Sequence, residues 1–446
     1  MFARAAIYLS FFALLFAAAC QEEVVPEIYH PRNDHEAYLH GLQKAGLATT
    51  ALAKEWALHA QSSLSNPIAI ELPFQEAFYF ANTTPNAHAY GMTVRRGEKI
   101  QITLKSIGTP DIREQAKLFI DLFRIDSTDR DSFDHVASAS KSENQLAFEP
   151  RQDAHYLIRI QPELLRGGRF EISIRSAPSL EFPVMGGNNR DIGSFFGDPR
   201  DGGRRKHHGI DIFARRHTPI LAPCKGYIRF VGERGLGGKV VWMRDRQRDM
   251  TLYFAHLHEI IAKDDTWVDI GDTLGTVGNT GNARTTPPHL HFGIYSNGPI
   301  DPYHFVAIQK SEVKPIAGNL ELLGNLVRTK RSTLFNPIRD EENSAPIDLD
   351  KYQWLQILGA IRKQYRVQLP AGEMGLVSIN DIESFQSSIV ADNMPDRIDI
   401  RDQVATAGKL IEEYHTKNGL EVLAKNESHW FIRTSSGTSG WIETAP

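Results

Sequence analysis

Cysteine is almost missing from this chain of 446 residues, with only Cys20 and Cys224 present. An intramolecular disulfide would have to join the very start to the middle, and Cys224, set in Ala222-Pro223-Cys224-Lys225-Gly226, reads as a small buried residue rather than a nucleophile or ligand. An excess of one charge is also lacking: a formal net charge of −4 gives no general pull toward nucleic acid or acidic membranes. Apolar runs are short. The one from Ala5 to Ala19, preceded by Arg4, is too brief for a relaxed membrane span and suits a secretory signal, so export is expected. A phosphate-cradling loop is lacking too, because Gly278-Asn279-Thr280-Gly281 has neither the lysine nor the strand-to-helix context; it reads as a turn. What is present is ordinary: hydrophobic residues at 41% and charged residues at 23% supply adequate cores. The length, set against ~100 to 200 residues per domain, implies three or four units.

The apolar run closes on Ala17-Ala18-Ala19-Cys20, which resembles the lipobox of bacterial lipoproteins, with Ala17 where that motif usually has Leu. The resemblance implies a lipid at Cys20 and a place in the cell envelope; the other reading is a plain Ala-x-Ala cleavage site. Residues 1–20 are thus read as a leader and 21–66 as a linker and helix. Asn33 or Asp34 caps that helix, and Tyr38, Leu42, Ala45, Leu52 and Trp56 recur at helical spacing to about Leu64. From 67 to 178 the period changes to two. Ile68–Leu72, Lys99–Leu104, Tyr156–Ile160 and Phe170–Ile174 alternate between turn residues, predicting a β-sandwich that looks like the jelly-roll accessory modules of secreted bacterial peptidases. A spacing or shielding role is favoured over glycan binding, and His88 and His155, without ligand spacing, are read as surface residues.

Three short patches carry the chemistry: His207-His208-Gly209-Ile210-Asp211, Phe254-Ala255-His256-Leu257 and His289-Leu290-His291-Phe292. Their β-branched and aromatic flanks place each on or beside a strand, where alternation puts His207 with Asp211 and His289 with His291. Two imidazoles and a carboxylate from separate strands can bind Zn²⁺ and leave a fourth position for water, the composition of a hydrolytic site. By the same parity His258 shares a face with His256, whereas His208 points away from His207, and His217 and His304 read as surface residues. Arg204-Arg205-Lys206 is either a steering patch for an anionic strand or a solvated loop.

The order of motifs from Phe182 to about Ile308 resembles the lysostaphin/LytM-type zinc metalloendopeptidases, which hydrolyse bacterial peptidoglycan. Ser194-Phe195-Phe196-Gly197-Asp198-Pro199-Arg200 comes first, then His207 to Asp211, Thr218 to Pro223, the aromatic-Ala-His-Leu patch, Gly275 to Gly281 and finally His289 to Phe292. For residues 181–308 the resemblance implies that His207, Asp211 and His291 hold the zinc and that His256 and His289 are a catalytic pair off the metal. It also singles out His256 over His258.

Beyond Gly318 the chain repeats itself. Leu355–Leu358, Tyr365–Val367 and Gly375–Val377 align without a gap to Leu420–Leu423, Trp430–Ile432 and Gly440–Ile442. The two copies, 325–380 and 395–446, resemble bacterial SH3-like modules, which implies a hold on the wall; the competing reading has Trp430 and Trp441 as plain barrel core, with the pair packed on the central unit as a brace or lid. The expected architecture is mainly β and multidomain: a helix and β-sandwich, an antiparallel β unit with a groove, and two small SH3-like barrels. The expected function is a zinc-dependent endopeptidase acting on peptidoglycan peptides, touching membrane only through a lipid at Cys20. The rival is a catalytically silent peptidoglycan-binding regulator of an amidase. Completeness of the set His207, Asp211, His256, His289 and His291 favours the enzyme.

Overall fold

The computed structural model describes residues 31–444 apart from 109–116, 126–131, 141–142, 309–311, 339–344, 386, 390–393, 405–407 and 427. The leader and Cys20, with the lipid expected there, lie outside the described residues.

The helical stretch near the start is two helices rather than one. Helix α1 (Asp34–Lys44) begins at Asn33, whose side chain accepts from the Glu36 amide. Gly46 then turns the chain at φ 71°, and Thr50 caps α2 (Ala51–Ser65). Trp56 on α2 is fully buried, donates to the Pro162 carbonyl at 2.8 Å and stacks on His35.

Two sheets follow, facing each other across a core that includes Phe78, Tyr90, Ile102, Ile158 and Ile172. One holds Ile68–Ala69, His88–Val94, Leu118–Ile125, Phe133–Ser138 and Ala154–Pro162; the other holds Phe74–Phe80, Glu98–Ile107, Gln145–Phe148 and Gly168–Pro178. His155 is exposed as expected, but His88 is not. Its ring is buried against Phe78 and Phe80, and burial, with the Arg366 guanidinium nearby, holds its pKa well below the usual histidine value. The strand Phe74–Phe80, in which Gln75-Glu76 interrupts the alternation, supplies Phe78 and Phe80 as the wall that covers it.

The central unit is built on one antiparallel sheet, whose strands are numbered here along the chain: β1 (Ile192–Ser194), β2 (Ile210–Phe213), β3 (Gly226–Arg234), β4 (Gly238–Asp245), β5 (Met250–Ala255), β6 (Trp267–Val268) and β7 (His289–Tyr295). Their spatial order is β1-β2-β7-β5-β4-β3-β6. One face carries Ile212, Ile228, Met243, Leu252, Phe254, Leu290 and Phe292 onto a second sheet of Pro219–Leu221, Thr273–Thr276 and Glu259–Ile260, closing the core with Ile220, Leu257 and Leu274. Cys224 is buried in this core. The opposite face presents the histidines.

The C-terminal repeat is visible as matching strands: Trp354–Ile361, Gln364–Gln368 and Met374–Ser378 in the first copy, Leu420–Lys425, His429–Thr434 and Ser439–Glu443 in the second. Trp354 and Trp441 meet where the copies join, with ring centroids 4.5 Å apart. The first copy pairs with the N-terminal β unit. Trp354–Ile361 runs antiparallel to Phe74–Phe80, with Ala360 opposite Ala77, so that both units share one sheet of eleven strands. A Cβ at Gly359 would collide with the Glu76 carboxylate. Beneath this joint, Arg366 donates to Glu76 at 2.5 Å and Tyr90 donates to the other Glu76 oxygen at 2.7 Å, all fully buried. The central unit is tied in separately: Arg248 bridges Glu149 at 2.6 Å and donates to the Ser179 carbonyl, while the Leu180 amide bonds the Phe305 carbonyl.

Substituting Arg366→Met strands a buried carboxylate, which costs on the order of 3–5 kcal/mol. A calorimetric melt is expected to show the transition of the N-terminal unit displaced downward, with Arg366→Lys intermediate; an unchanged melt would show that this pair contributes nothing to the joint.

Candidate metal centre

The sheet face opposite the core brings the three patches together. Asp211 on β2 stands directly across from His291 on β7, and Ala255 at the end of β5 faces His291 from the other side. His207 is not on a strand. It precedes β2 in a connection fixed by two backbone bonds, from its amide to the Asp198 carbonyl and from the Gly197 amide to its own carbonyl. Gly209 lets the chain pass, since a Cβ there would lie 2.8 Å from the His291 ring.

His207 Nε2, His291 Nδ1 and Asp211 Oδ1 form a triangle with edges of 2.9, 3.0 and 3.0 Å. They are the one set of metal-ligating type found among the described residues. Donors sharing one ion at about 2.1 Å and tetrahedral angles lie roughly 3.4 Å apart, so the triangle is nearly the base such an ion requires. Proton positions argue the same way. His207 Nδ1 lies 2.8 Å from the Phe195 carbonyl, which only accepts, so its proton sits there and a lone pair is left at Nε2. That lone pair, the Asp211 oxygen and His291 Nδ1 then converge with at most one proton among them, an arrangement a cation satisfies. Burial would push the Asp211 carboxyl up, but the close approach of the His207 and His291 rings prevails and holds it well below the usual carboxylate range. Burial also lowers His291, keeping it neutral as a metal ligand must be.

His256 and His289 stand beside this triangle without joining it. The His256 and His289 ring centroids are 5.1 Å apart, and His289 Nε2 is 4.0 Å from Asp211 Oδ1. Each donates its Nδ1 proton to a backbone carbonyl at 2.9 Å, His256 to Thr280 and His289 to Pro287, which leaves both Nε2 atoms able to accept. Burial, then the neighbouring His289 and His291 rings, bring His256 down to about 4. At neutral pH it is therefore an unprotonated base.

Alternation misplaces His258. His256 adopts φ 65°, so the chain turns there and the two residues do not share a face. His258 instead packs edge-on against His217 at 4.2 Å and lies 3.3 Å from Arg216. His208 and His217 are exposed, as expected, and His304 is half-buried against Arg95 of the N-terminal unit. Arg205 and Lys206 form a short exposed strand pair with Pro199–Arg200, and Arg205 is paired with Asp201.

Arg200 has a place that motif order alone does not reveal. It donates to Asp211 Oδ2 at 2.9 Å and to the Ser194 hydroxyl at 2.5 Å. One carboxylate oxygen is thereby occupied and only Oδ1 is turned to the imidazoles.

Residues 205–302 match Peptidase family M23, and the central unit is an M23 peptidase domain. Among curated proteins, the chain is similar to an L-Ala–D-Glu endopeptidase of Bacillus subtilis, 36% identical over 145 residues, covering 29% of this chain and 44% of that protein. It is also similar to the peptidoglycan DD-endopeptidase ShyC of Vibrio cholerae, 35% identical over 100 residues and 22% of each. A third relative is the uncharacterized lipoprotein YgeR of Escherichia coli, 34% identical over 116 residues, 26% of this chain and 43% of that one. The chain thus spans less than half the length of these relatives.

The donor set fits zinc. Arg200→Gln is expected to weaken zinc binding about 10- to 100-fold, the usual effect of removing a ligand's own hydrogen-bond partner, in a competition titration against a chromogenic chelator; Arg200→Lys should recover part of it. His207→Ala is expected to abolish stoichiometric zinc by elemental analysis, whereas His289→Ala retains it.

Proposed function

We propose that this chain is an exported, zinc-dependent endopeptidase that hydrolyses peptide bonds in peptidoglycan, with His207, Asp211 and His291 holding the metal and His256 and His289 moving protons. The observation that carries the reading is the convergence of three donor atoms about 3 Å apart, flanked by two imidazoles whose accepting nitrogens are bare. The names of the B. subtilis and V. cholerae relatives support the substrate class.

Zinc bound there would lower the pKa of its water toward neutrality and polarise a carbonyl oxygen. The protein's own residues do the rest. Arg200 keeps Asp211 to a single facing oxygen, and the Phe195 carbonyl sets the tautomer of His207. Between them, His256 and His289 carry the proton of the attacking water to the departing amine: the bare Nε2 of one accepts it, and the imidazolium so formed gives it up to the amine. Both are oriented for this by the carbonyls of Thr280 and Pro287.

The same reading assigns the flanking units. The leader ends at Cys20, where a lipid would anchor the protein in the envelope, as the description of YgeR as a lipoprotein supports. The N-terminal β unit, 67–178, spaces the enzyme from the membrane, and the SH3-like copies at 325–380 and 395–446 hold the wall.

Incubating purified peptidoglycan with the zinc-loaded chain is expected to release fragments that gain one water per cut, by mass spectrometry. A chelator should stop release, zinc should restore it, and His289→Ala should be inert with its metal in place. Fragments unchanged in mass with active protein would overturn the assignment and favour the silent regulator.

A further inference from the structure

The face of the central sheet that carries the histidines continues, strand by strand, into a second feature. Cross-strand register places Gly293 beside Tyr253, Tyr253 beside Trp242, Trp242 beside Phe230, and Tyr227 beside Trp267. Since residues directly opposite each other share a face, these side chains lie on the same side as His291. The rings nearly touch: Tyr253 is 5.8 Å from His291, Trp242 is 4.4 Å from Tyr253 and 5.5 Å from Tyr295, and Tyr227 is 5.4 Å from Trp267. An aromatic shelf thus runs from the metal ligand toward β3.

At its far end lies a cleft of about 950 Å³ lined by Arg229, Arg234, Arg244 and Arg246, with Asp249 as the sole acid. Four positive charges against one negative leave a local charge of +3, in a chain whose net charge is −4. Asp249 is engaged by Arg244. Arg234 lies over Phe230 at 4.6 Å, and Arg246 over Trp267 at 5.0 Å and Tyr227 at 5.9 Å. Guanidinium groups held over ring faces can still present N–H donors in the fork geometry that matches a carboxylate. Like charges in water would disperse; here the rings fix two of them in one place.

We propose that this arginine cleft is an anionic subsite of the hydrolase, which binds a carboxylate of the peptide whose backbone lies across the metal centre. The inference rests on the proposed function and specifies its substrate as an acidic peptide. Two strand spacings across and four residues along separate His291 from Arg244, roughly 15 Å. An extended peptide advances about 3.3–3.6 Å per residue, so the recognised carboxylate lies roughly four or five residues from the bond that is cut. A phosphate polymer would also suit the guanidinium forks. A peptide is the occupant the shelf favours, because the same molecule must present an amide to the histidines. A neutral sugar chain would call for side-chain amides and carboxylates in place of four arginines.

The test measures binding apart from turnover. Zinc-loaded protein carrying His289→Ala is titrated into a fluorescein-labelled soluble peptidoglycan peptide with free carboxylates, and into the same peptide with those groups amidated, with anisotropy as the readout. The acidic probe is expected to bind at least 10-fold tighter, and this preference should collapse when Arg229→Ala and Arg246→Ala, both at exposed positions, are added. Equal binding of the two probes, no binding of either, a preference that survives the double substitution, or stronger binding of a polyphosphate would each overturn the subsite. A preserved preference for the acidic probe in a protein whose unsubstituted form cuts no peptidoglycan would instead overturn the endopeptidase reading and leave the subsite standing.

Discussion

Three electron-pair donors held within about 3 Å of one another, in a pit that excludes most water, are the constraint around which the central unit is arranged. Such a cluster is unfavourable by itself, because the lone pairs repel and too few protons are available to bridge them. The surroundings pin it regardless. The Phe195, Thr280 and Pro287 carbonyls each hold the Nδ1 proton of an imidazole, and Arg200 holds the spare oxygen of Asp211. A cation turns this stored conflict into binding energy. The ring orientations are fixed by backbone, so little reorganisation is left for the moment of reaction.

Legibility from sequence followed how local each feature is. Alternation puts His289 with His291 because both lie within one strand, whereas the convergence of Asp211 with His291 comes from a cross-strand register that alternation alone does not give. The same rule failed two residues from His256, where a positive φ breaks the pleat and sends His258 to Arg216 and His217. His88 carries no local sign of burial, because the rings that cover it come from the strand Phe74–Phe80, where Gln75-Glu76 interrupts the alternation. The break between the first two helices hinged on Gly46, a residue visible in the sequence but not decisive against the apolar spacing on either side. Carbonyl acceptors carry no side-chain signature at all. The role of Arg200 was hidden for a related reason: its motif gives its order in the chain, not the direction of its guanidinium.

Repeats show the same limit from the other side. The correspondence of 355–377 with 420–442 was plain, and the strands appear where it placed them. What no local pattern conveyed is that Trp354–Ile361 would pair with Phe74–Phe80, since long-range pairing depends on two edges that each look ordinary alone. The contacts of Arg248 with Glu149 and Ser179 place the metal-bearing sheet against the first unit independently of that joint. The histidine face and the joined ends of the chain are thus supported by separate sets of interactions.

The shared sheet has a consequence for biogenesis. Chains emerge from the ribosome in order; the unit containing Phe74–Phe80 is complete long before Trp354–Ile361 appears. During that interval its edge strand has unpaired amides and carbonyls, and Glu76 lacks the arginine that neutralises it. An uncompensated carboxylate pointing inward from an edge strand disfavours the addition of a neighbouring chain, and Arg366 supplies its counter-charge when Trp354–Ile361 docks. A nascent protein so built carries its own temporary guard against aggregation, released by the last third of its own sequence.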